Sequence, residues 1–361
     1  MSLDDTLTPA QAEARRQIEI CNACRYCEGY CAVFPAMTRA TEFAAGDLTH
    51  LANLCHNCRG CYYACQYTAP HEFALNLPAA LAEARSESWV RHIPLPALSR
   101  AFQTHGAAIA GLTVAALALI FLAMAALRPE EGAGFYAHLA HDAMVAIFAP
   151  AFLAPLAVIG LGLRRYWRAA GAPDLRREDL RAALAAAATM RNLGGGQGQG
   201  CNFEAGDRFS NARRHAHQAV MWGFLMCFAA TSAGTVMHYA LAWPAPYPWW
   251  APPKLLGVPG GLLMVLGAAA LVRLKLRADP ALGDARVWGG ETGFVLLLGA
   301  TALTGLALYA ATGTGAVRGL LAVHLATVLA LFLLMPFSKM VHGAFRLAAL
   351  LAEAALQRRG G

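Results

Sequence analysis

Six long apolar stretches dominate the later part of the chain. Residues 107–127 run for 21 positions without a charge, enough for a helix to cross a bilayer core of about 30 Å. Further stretches follow at 143–163, 218–241, 255–272, 292–311 and 319–337. The second contains Pro150 and Pro155, which membrane helices tolerate better than soluble ones. The fourth is interrupted by Pro259, Gly260 and Gly261 and is the weakest of the six. Any single stretch can be read as a buried core helix, but the chain has too few polar segments to cover six of them.

Residues 1–95 have a different texture. Strand alternation is scarce there. AAGDLTHLANL (44–54) and EFALNLPAALAEARSESW (72–89) read as short helices, with Asp47 and Glu72 near their starts. Pro94 and Pro96 mark a linker. The polar, acidic N-terminus has no apolar centre and so does not read as a signal peptide, which places the first domain in the cytoplasm. The pattern predicts an all-α protein. Residues 1–95 form a soluble domain, and 96–361 form a transmembrane helical domain with a cytoplasmic loop at 164–214.

Composition sharpens this picture. Of 361 residues, 57% are hydrophobic and 14% charged, against about 25% charged in soluble domains. A wholly soluble enzyme, a disordered chain and a collagen-like repeat are excluded. The net charge of +7 would suit nucleic acid, but its distribution points to membrane topology. Loop 164–214 holds ten basic residues: Arg164, Arg165, Arg168, Arg176, Arg177, Arg181, Arg191, Arg208, Arg213 and Arg214. Loop 273–290 adds Arg273, Lys275, Arg277 and Arg286, and the tail adds Lys339, Arg346, Arg358 and Arg359. The opposite loops carry Arg128, Lys254 and Arg318. By the positive-inside rule both termini face the cytoplasm, and WPAPYPWWAPP forms an outer aromatic belt. Nucleic acid is not needed to explain the charge.

Eight of the ten cysteines lie in residues 1–95, in two runs of one spacing. Cys21-x2-Cys24-x2-Cys27-x3-Cys31 recurs as Cys55-x2-Cys58-x2-Cys61-x3-Cys65. This is the bacterial spacing for two [4Fe–4S] clusters, in which the fourth cysteine of each run ligates the other cluster. Cys21, Cys24, Cys27 and Cys65 are therefore assigned to one cluster, and Cys55, Cys58, Cys61 and Cys31 to the other. A zinc ribbon would leave the third cysteine of each run without a role. The proline usual after the fourth cysteine is missing, with Pro35 and Pro70 lying four and five residues on. That departure and the helical texture favour an α-helical ferredoxin-type domain over the small β-rich one. Cys227 reads as a buried hydrophobe. Cys201 lies in the loop GGGQGQGCNFE, which is no phosphate cradle because neither a lysine nor a strand–helix context follows. Arg25 and Arg59, beside cluster ligands, are candidates for tuning potential or docking a partner, although exposed arginines are more often simply solvated.

Ionisable residues at membrane depth are functional-site hypotheses. His324 and His342 lie 18 residues apart, five whole helical turns, so they share a face about 27 Å apart along the axis. His217 and His238 bracket the third stretch, about 60° out of register. The two helices run antiparallel. His217 is therefore expected to meet His342 near the cytoplasmic surface, and His238 to meet His324 near the outer one. Each pair supplies two axial imidazoles for a b-type haem, giving one or two haems. His215 competes with His217 but lies about 140° from the face of His238. His138 and His141 read as outer-surface residues.

Several motifs carry a resemblance. His324-x11-Pro336-Phe337-Ser338-Lys339-x2-His342 resembles the last haem-binding helix of the nitrate reductase gamma subunit. ICNACRYCEGYCAVFPAM, LCHNCRGCYYACQYTAPHEFALN, GGGQGQGCNF and CFAATSAGTVMHY together are similar to the tricarballylate/citrate-utilisation protein B family, and to the C-terminal part of the flavohaem protein CobZ. The resemblance covers nearly the full length. It implies a protein of a bacterial-type inner membrane that reoxidises the reduced FAD of a tricarballylate dehydrogenase and passes electrons to membrane quinone. The chain has no dinucleotide-binding fingerprint, so the FAD belongs to a partner. Two rival readings are a heterodisulfide-reductase-like electron-transfer subunit and a membrane redox sensor. The first predicts either further cysteine-rich motifs or a catalytic cluster site, and the sequence shows neither. The second predicts an output domain, whereas residues 338–361 read as a short amphipathic helix.

Overall fold

The computed structural model describes residues 7–40, 42–127, 137–196, 198–204 and 206–360. Arg128, which the charge argument places on an outer loop, and Gln197 of the glycine-rich loop lie outside the described residues. The described chain is all-α, with one isolated antiparallel bridge between Cys201 and Ser210.

Five helices build the cysteine-rich part: α1 (Pro9–Cys24), α2 (Val33–Arg39), α3 (Ala45–Leu54), α4 (Gly60–Tyr63) and α5 (Leu77–His92). Thr8 caps α1 with a capping box closed by Gln11, and Pro9 sits where a missing N–H costs nothing. Asn76 caps α5 by accepting from the Ala79 amide at 3.3 Å.

The remaining helices are α6 (Pro96–Leu127), α7 (His141–Ala169), α8 (Arg177–Thr189), α9 (Ala212–Ala240), α10 (Pro252–Arg277), α11 (Trp288–Ala310), α12 (Val317–Leu334) and α13 (Val341–Gly360). Six of them, α6, α7 and α9 to α12, are long and apolar enough to cross a membrane. Residues 93–95 alone separate α5 from α6, because Pro96 starts the next helix instead of extending a linker. α6 bends at His105, whose φ of −114° and ψ of 22° leave the helical region. Pro259 lies inside an unbroken α10, as neighbouring membrane helices permit.

Close backbone approach sets the bundle. A Cβ on Gly223 of α9 would lie 2.7 Å from the Gly260 carbonyl of α10. One on Gly293 of α11 would lie 2.4 Å from the Gly106 carbonyl carbon of α6. Small residues at such crossings let membrane helices gain contact where no hydrophobic force drives them together.

The stretch 319–337 is not one helix with His342 on its extension. Pro336 has no N–H, and the chain tightens around it: Met335 bonds back to Phe332 at 3.2 Å and Phe337 to Leu334 at 3.1 Å. The turn ends α12 and starts α13, so the five-turn register between His324 and His342 does not apply. α13 instead folds back onto the cysteine-rich helices. Phe345 and Tyr166, both fully buried, share one core with Ile18, Leu48, Leu51 and Leu81.

Candidate metal centres

Cys21 and Cys24 occupy the last turn of α1, which Arg25 ends in the left-handed region at φ 55°. Cys27 follows in a turn closed by the Tyr30 amide to the Cys27 carbonyl at 2.9 Å, and Cys31 precedes α2. In the second run, Cys55 ends α3 and Cys61 sits in the single turn of α4. Asn57 (φ 49°) and Arg59 (φ 68°) coil the intervening loop through left-handed backbone, a conformation asparagine accepts more readily than most residues.

Two spaces result. A cavity of about 260 Å³ is lined by Cys21, Cys24, Cys27, Cys61 and Cys65. A smaller one beside it is lined by Cys31, Cys55, Cys58 and Cys61. Cys65 thus faces the first run and Cys31 the second. Cys24 is exposed, whereas Cys58 is buried. The thiols surround space: among the described residues, no three His, Cys, Asp or Glu side chains close on one point as for a single ion. Burial, with the neighbouring thiols, pushes Cys21 and Cys27 up to about 12, and burial pushes Cys58 up to about 11. Such thiols become thiolate ligands when positive metal stands among them. Eight soft donors around two adjoining cavities fit two clusters.

The loop from Cys55 to Cys61 is held from four directions. Asn57 Nδ2 donates to the Pro78 carbonyl at 3.1 Å and to the Leu282 carbonyl at 3.0 Å, and its Oδ1 accepts from Arg59 Nε at 3.0 Å. Arg85 of α5 donates to the Cys55 carbonyl at 2.9 Å. Arg213 of α9 donates to the Asn57 carbonyl at 2.6 Å, and Arg346 of α13 to the Cys55 carbonyl at 2.6 Å. The glycine-rich loop forms a cover: the Asn202 amide donates to the Cys58 carbonyl at 2.9 Å, and Arg59 to the Phe203 carbonyl at 3.2 Å. Cys201 is buried in this cover. Arg59, expected at the solvated surface, is instead buried, with 5% of it exposed. Burial and the nearby Arg213 push its pKa down to about 10.

Arg213 and Arg346 lead to the histidines, each lying four residues from one of them on a common helix face. The rings of His217 and His342 have centroids 5.6 Å apart at 71°, an edge-to-face contact that brings the two imidazoles together. His342 Nδ1 contacts the Lys339 carbonyl, leaving Nε2 as its second nitrogen. That is how a second partner orients an imidazole ligand. Burial, with His217, Arg346 and Lys339, holds His342 well below its usual pKa and therefore neutral. His217 Nδ1 is buried without a hydrogen-bond partner. Lys339 shares the Glu291 carboxylate with Lys275, which fixes the turn ahead of His342. His215 is exposed.

The expected outer pair is not brought together in this way. His238 stacks on His141, with centroids 4.3 Å apart at 18°, and touches Tyr239 edge-on at 4.8 Å. His324 turns to α11 instead, its Nδ1 lying 3.1 Å from Thr304 Oγ1 and its ring against Gly305. The first residue of α7 thus takes the place beside His238 that the helix register assigned to His324. His141, read from sequence as an outer-surface residue, packs within the bundle end. His238 Nδ1 is buried without a hydrogen-bond partner.

The family model described as citrate utilization protein B matches residues 98–361, and that described as the citrate utilization protein B Fer4-like domain matches residues 14–90. The chain is 42% identical over 360 residues to the citrate utilization protein B of Escherichia coli, covering 98% of this chain and 94% of the relative. No solved structure matches it significantly.

Proposed function

The chain belongs to the citrate utilization protein B family, and on that premise we propose that it is a membrane electron-transfer subunit. It takes electrons from the reduced FAD of a partner dehydrogenase of the tricarballylate type and delivers them to membrane quinone. Two [4Fe–4S] clusters and one or two b-type haems supply one-electron carriers when bound. Cys21, Cys24, Cys27 and Cys65 hold the first cluster, and Cys31, Cys55, Cys58 and Cys61 the second. His217 and His342 are the axial pair on the cytoplasmic side. His238 and His324 are the candidate ligands on the outer side, where each now has another neighbour. Both termini and the basic loops lie on the cytoplasmic face of a bacterial-type inner membrane.

The observation that carries this reading is the pair of bridges from one loop to two helices. Arg213 and Arg346 each donate to a carbonyl of the Cys55–Cys58 loop, and each lies one helical turn from His217 or His342. The exposed Cys24 gives the first cavity a face that a partner can reach. The second cavity is lined by the loop that Arg213 of α9 and Arg346 of α13 hold.

The test is coupled activity. Inverted membrane vesicles containing the chain are supplied with a tricarballylate dehydrogenase and its substrate, and quinone reduction is followed. Quinone reduction that depends on the chain and is abolished by Cys58→Ala and His342→Ala is expected. Equal quinone reduction in vesicles lacking the chain would refute the assignment.

A further inference from the structure

Four guanidinium groups surround the Cys55–Cys61 loop, with the carboxylates of Asp279 and Glu291 acting on Arg59 only at longer range. Arg59 and Arg85 are buried and Arg213 and Arg346 half-buried. Their hydrogen bonds run to neutral oxygens: Asn57 Oδ1 and the carbonyls of Ala52, Asn53, Cys55, Asn57 and Phe203. Among the described residues, none of the four forms an ion pair with a carboxylate. Arg59 and Arg213 even share one aromatic ring, standing 4.6 and 3.9 Å from the centre of Phe203. Taking a cation out of water without a counter-ion costs several kcal/mol per ion, and like charges beside it add to that cost. The four come from a loop, α5, α9 and α13, so no single helix pattern explains their convergence.

The thiols of Cys31, Cys55, Cys58 and Cys61, which line one cavity with Arg59, lie in their midst and are able to carry negative charge. A cluster bound through four thiolates is an anion, and one-electron reduction makes it more negative. Fixed cations favour that added charge, whereas burial alone opposes it. Net charge and solvent exposure are among the terms that set cluster potentials. Around the first run the surroundings differ: Arg25 is exposed and donates to the Asn22 carbonyl at 3.0 Å.

We propose that Arg59, Arg85, Arg213 and Arg346 are the built-in counter-charge of the second cluster and hold its reduction potential above that of the first. The inference rests on the cluster assignment above. It gives the arginines a tuning role distinct from holding the loop, and it makes the buried site the stronger electron acceptor of the two.

The test is a redox titration followed by electron paramagnetic resonance on the full-length, detergent-solubilised, anaerobically purified protein, after iron and sulfide have been counted. A soluble paramagnetic ion identifies the first cluster, because it relaxes the signal under the exposed Cys24 more strongly. The less relaxed signal is expected to titrate at the higher potential. Arg346→Gln and Arg213→Gln should each shift that midpoint alone, making electron sharing with the second cluster about tenfold less favourable, or about 59 mV for a one-electron couple. Arg346→Lys, which keeps the charge, should retain most of the wild-type value. The reverse order of midpoints in the wild type overturns the proposal. So does an equal shift of both midpoints in the glutamine variants, or a lysine variant displaced as far as the glutamine one. If the glutamine variants lose iron, the wild-type order and the lysine variant decide. Wild-type protein without acid-labile sulfide would instead defeat the cluster assignment on which the proposal rests.

Discussion

Replacing Asn57 by alanine should open the second cysteine loop without unfolding the membrane helices. Asn57 is buried, and its side chain makes three hydrogen bonds, to the Pro78 and Leu282 carbonyls and from Arg59 Nε. Two neutral bonds at about 1 kcal/mol each and one to a charged group at about 2 kcal/mol give a loss of about 4 kcal/mol. The left-handed backbone at φ 49° adds about 1 kcal/mol for alanine, a cost glycine avoids. At 1.4 kcal/mol per factor of ten, the hydrogen-bond loss corresponds to roughly a thousandfold increase in loop opening. Asn57→Gly should open roughly fivefold less than Asn57→Ala. Hydrogen exchange read by mass spectrometry on peptides covering residues 55–61 measures this opening, with peptides from α9 and α11 as internal references. Acceleration below tenfold in the loop, or equal acceleration throughout the chain, would refute the reasoning.

Three further outcomes follow from other parts of the structure. His217→Ala or His342→Ala should remove one equivalent of b-type haem while leaving iron–sulfur content intact, as measured by a pyridine-haem assay beside iron and sulfide counts. Gly293→Leu must push α11 from the Gly106 backbone of α6; overpacking of this kind costs about 1–3 kcal/mol and should lower the detergent-solubilised melting temperature, whereas an unchanged melt would contradict the close approach. Burial pushes the Glu353 carboxyl up, but hydrogen bonds from His50 and Arg39 more than offset this and leave it below its usual pKa. Its contribution to docking α13 is therefore fully present above the ordinary glutamate value of about 4.3 and is lost as pH falls through the lower folded value. Glu353→Gln should flatten that acid-side loss in melting curves recorded between about pH 6 and 3.

The helices and the cysteine spacing were legible because each is a local property of the chain. A run such as 107–127 declares its length and polarity without reference to any neighbour, and α6 contains the whole of it. Contacts between elements were not legible in this way. Helical periodicity places His324 and His342 on one face only if the helix continues, and Pro336 breaks it. His217 and His342 still come together, but by a fold-back of α13 that no periodicity describes. The same limit hid the outer end of the bundle: the start of α7 brings His141 onto His238. Arg213 and Arg346 entered the sequence reading only as topology-setting charges. Their convergence with Arg59 and Arg85 depends on α5, α9 and α13 meeting at one loop, and basic residues scattered over 288 positions give no sign of it. A clue was present in GGGQGQGCNF, whose glycines permit a tight cover and whose Phe203 receives two of the guanidiniums.

The central claim is that one polypeptide joins two cysteine-held clusters to histidine-held haem. Its most direct test is the metal content of the anaerobically purified, detergent-solubilised protein, with iron, acid-labile sulfide, zinc and pyridine-haem counted on one sample and a dithionite-reduced spectrum recorded beside them. The account predicts about eight non-haem irons with matching sulfide and at least one b-type haem whose band rises on reduction. Zinc without sulfide, or clusters without any haem, would contradict it.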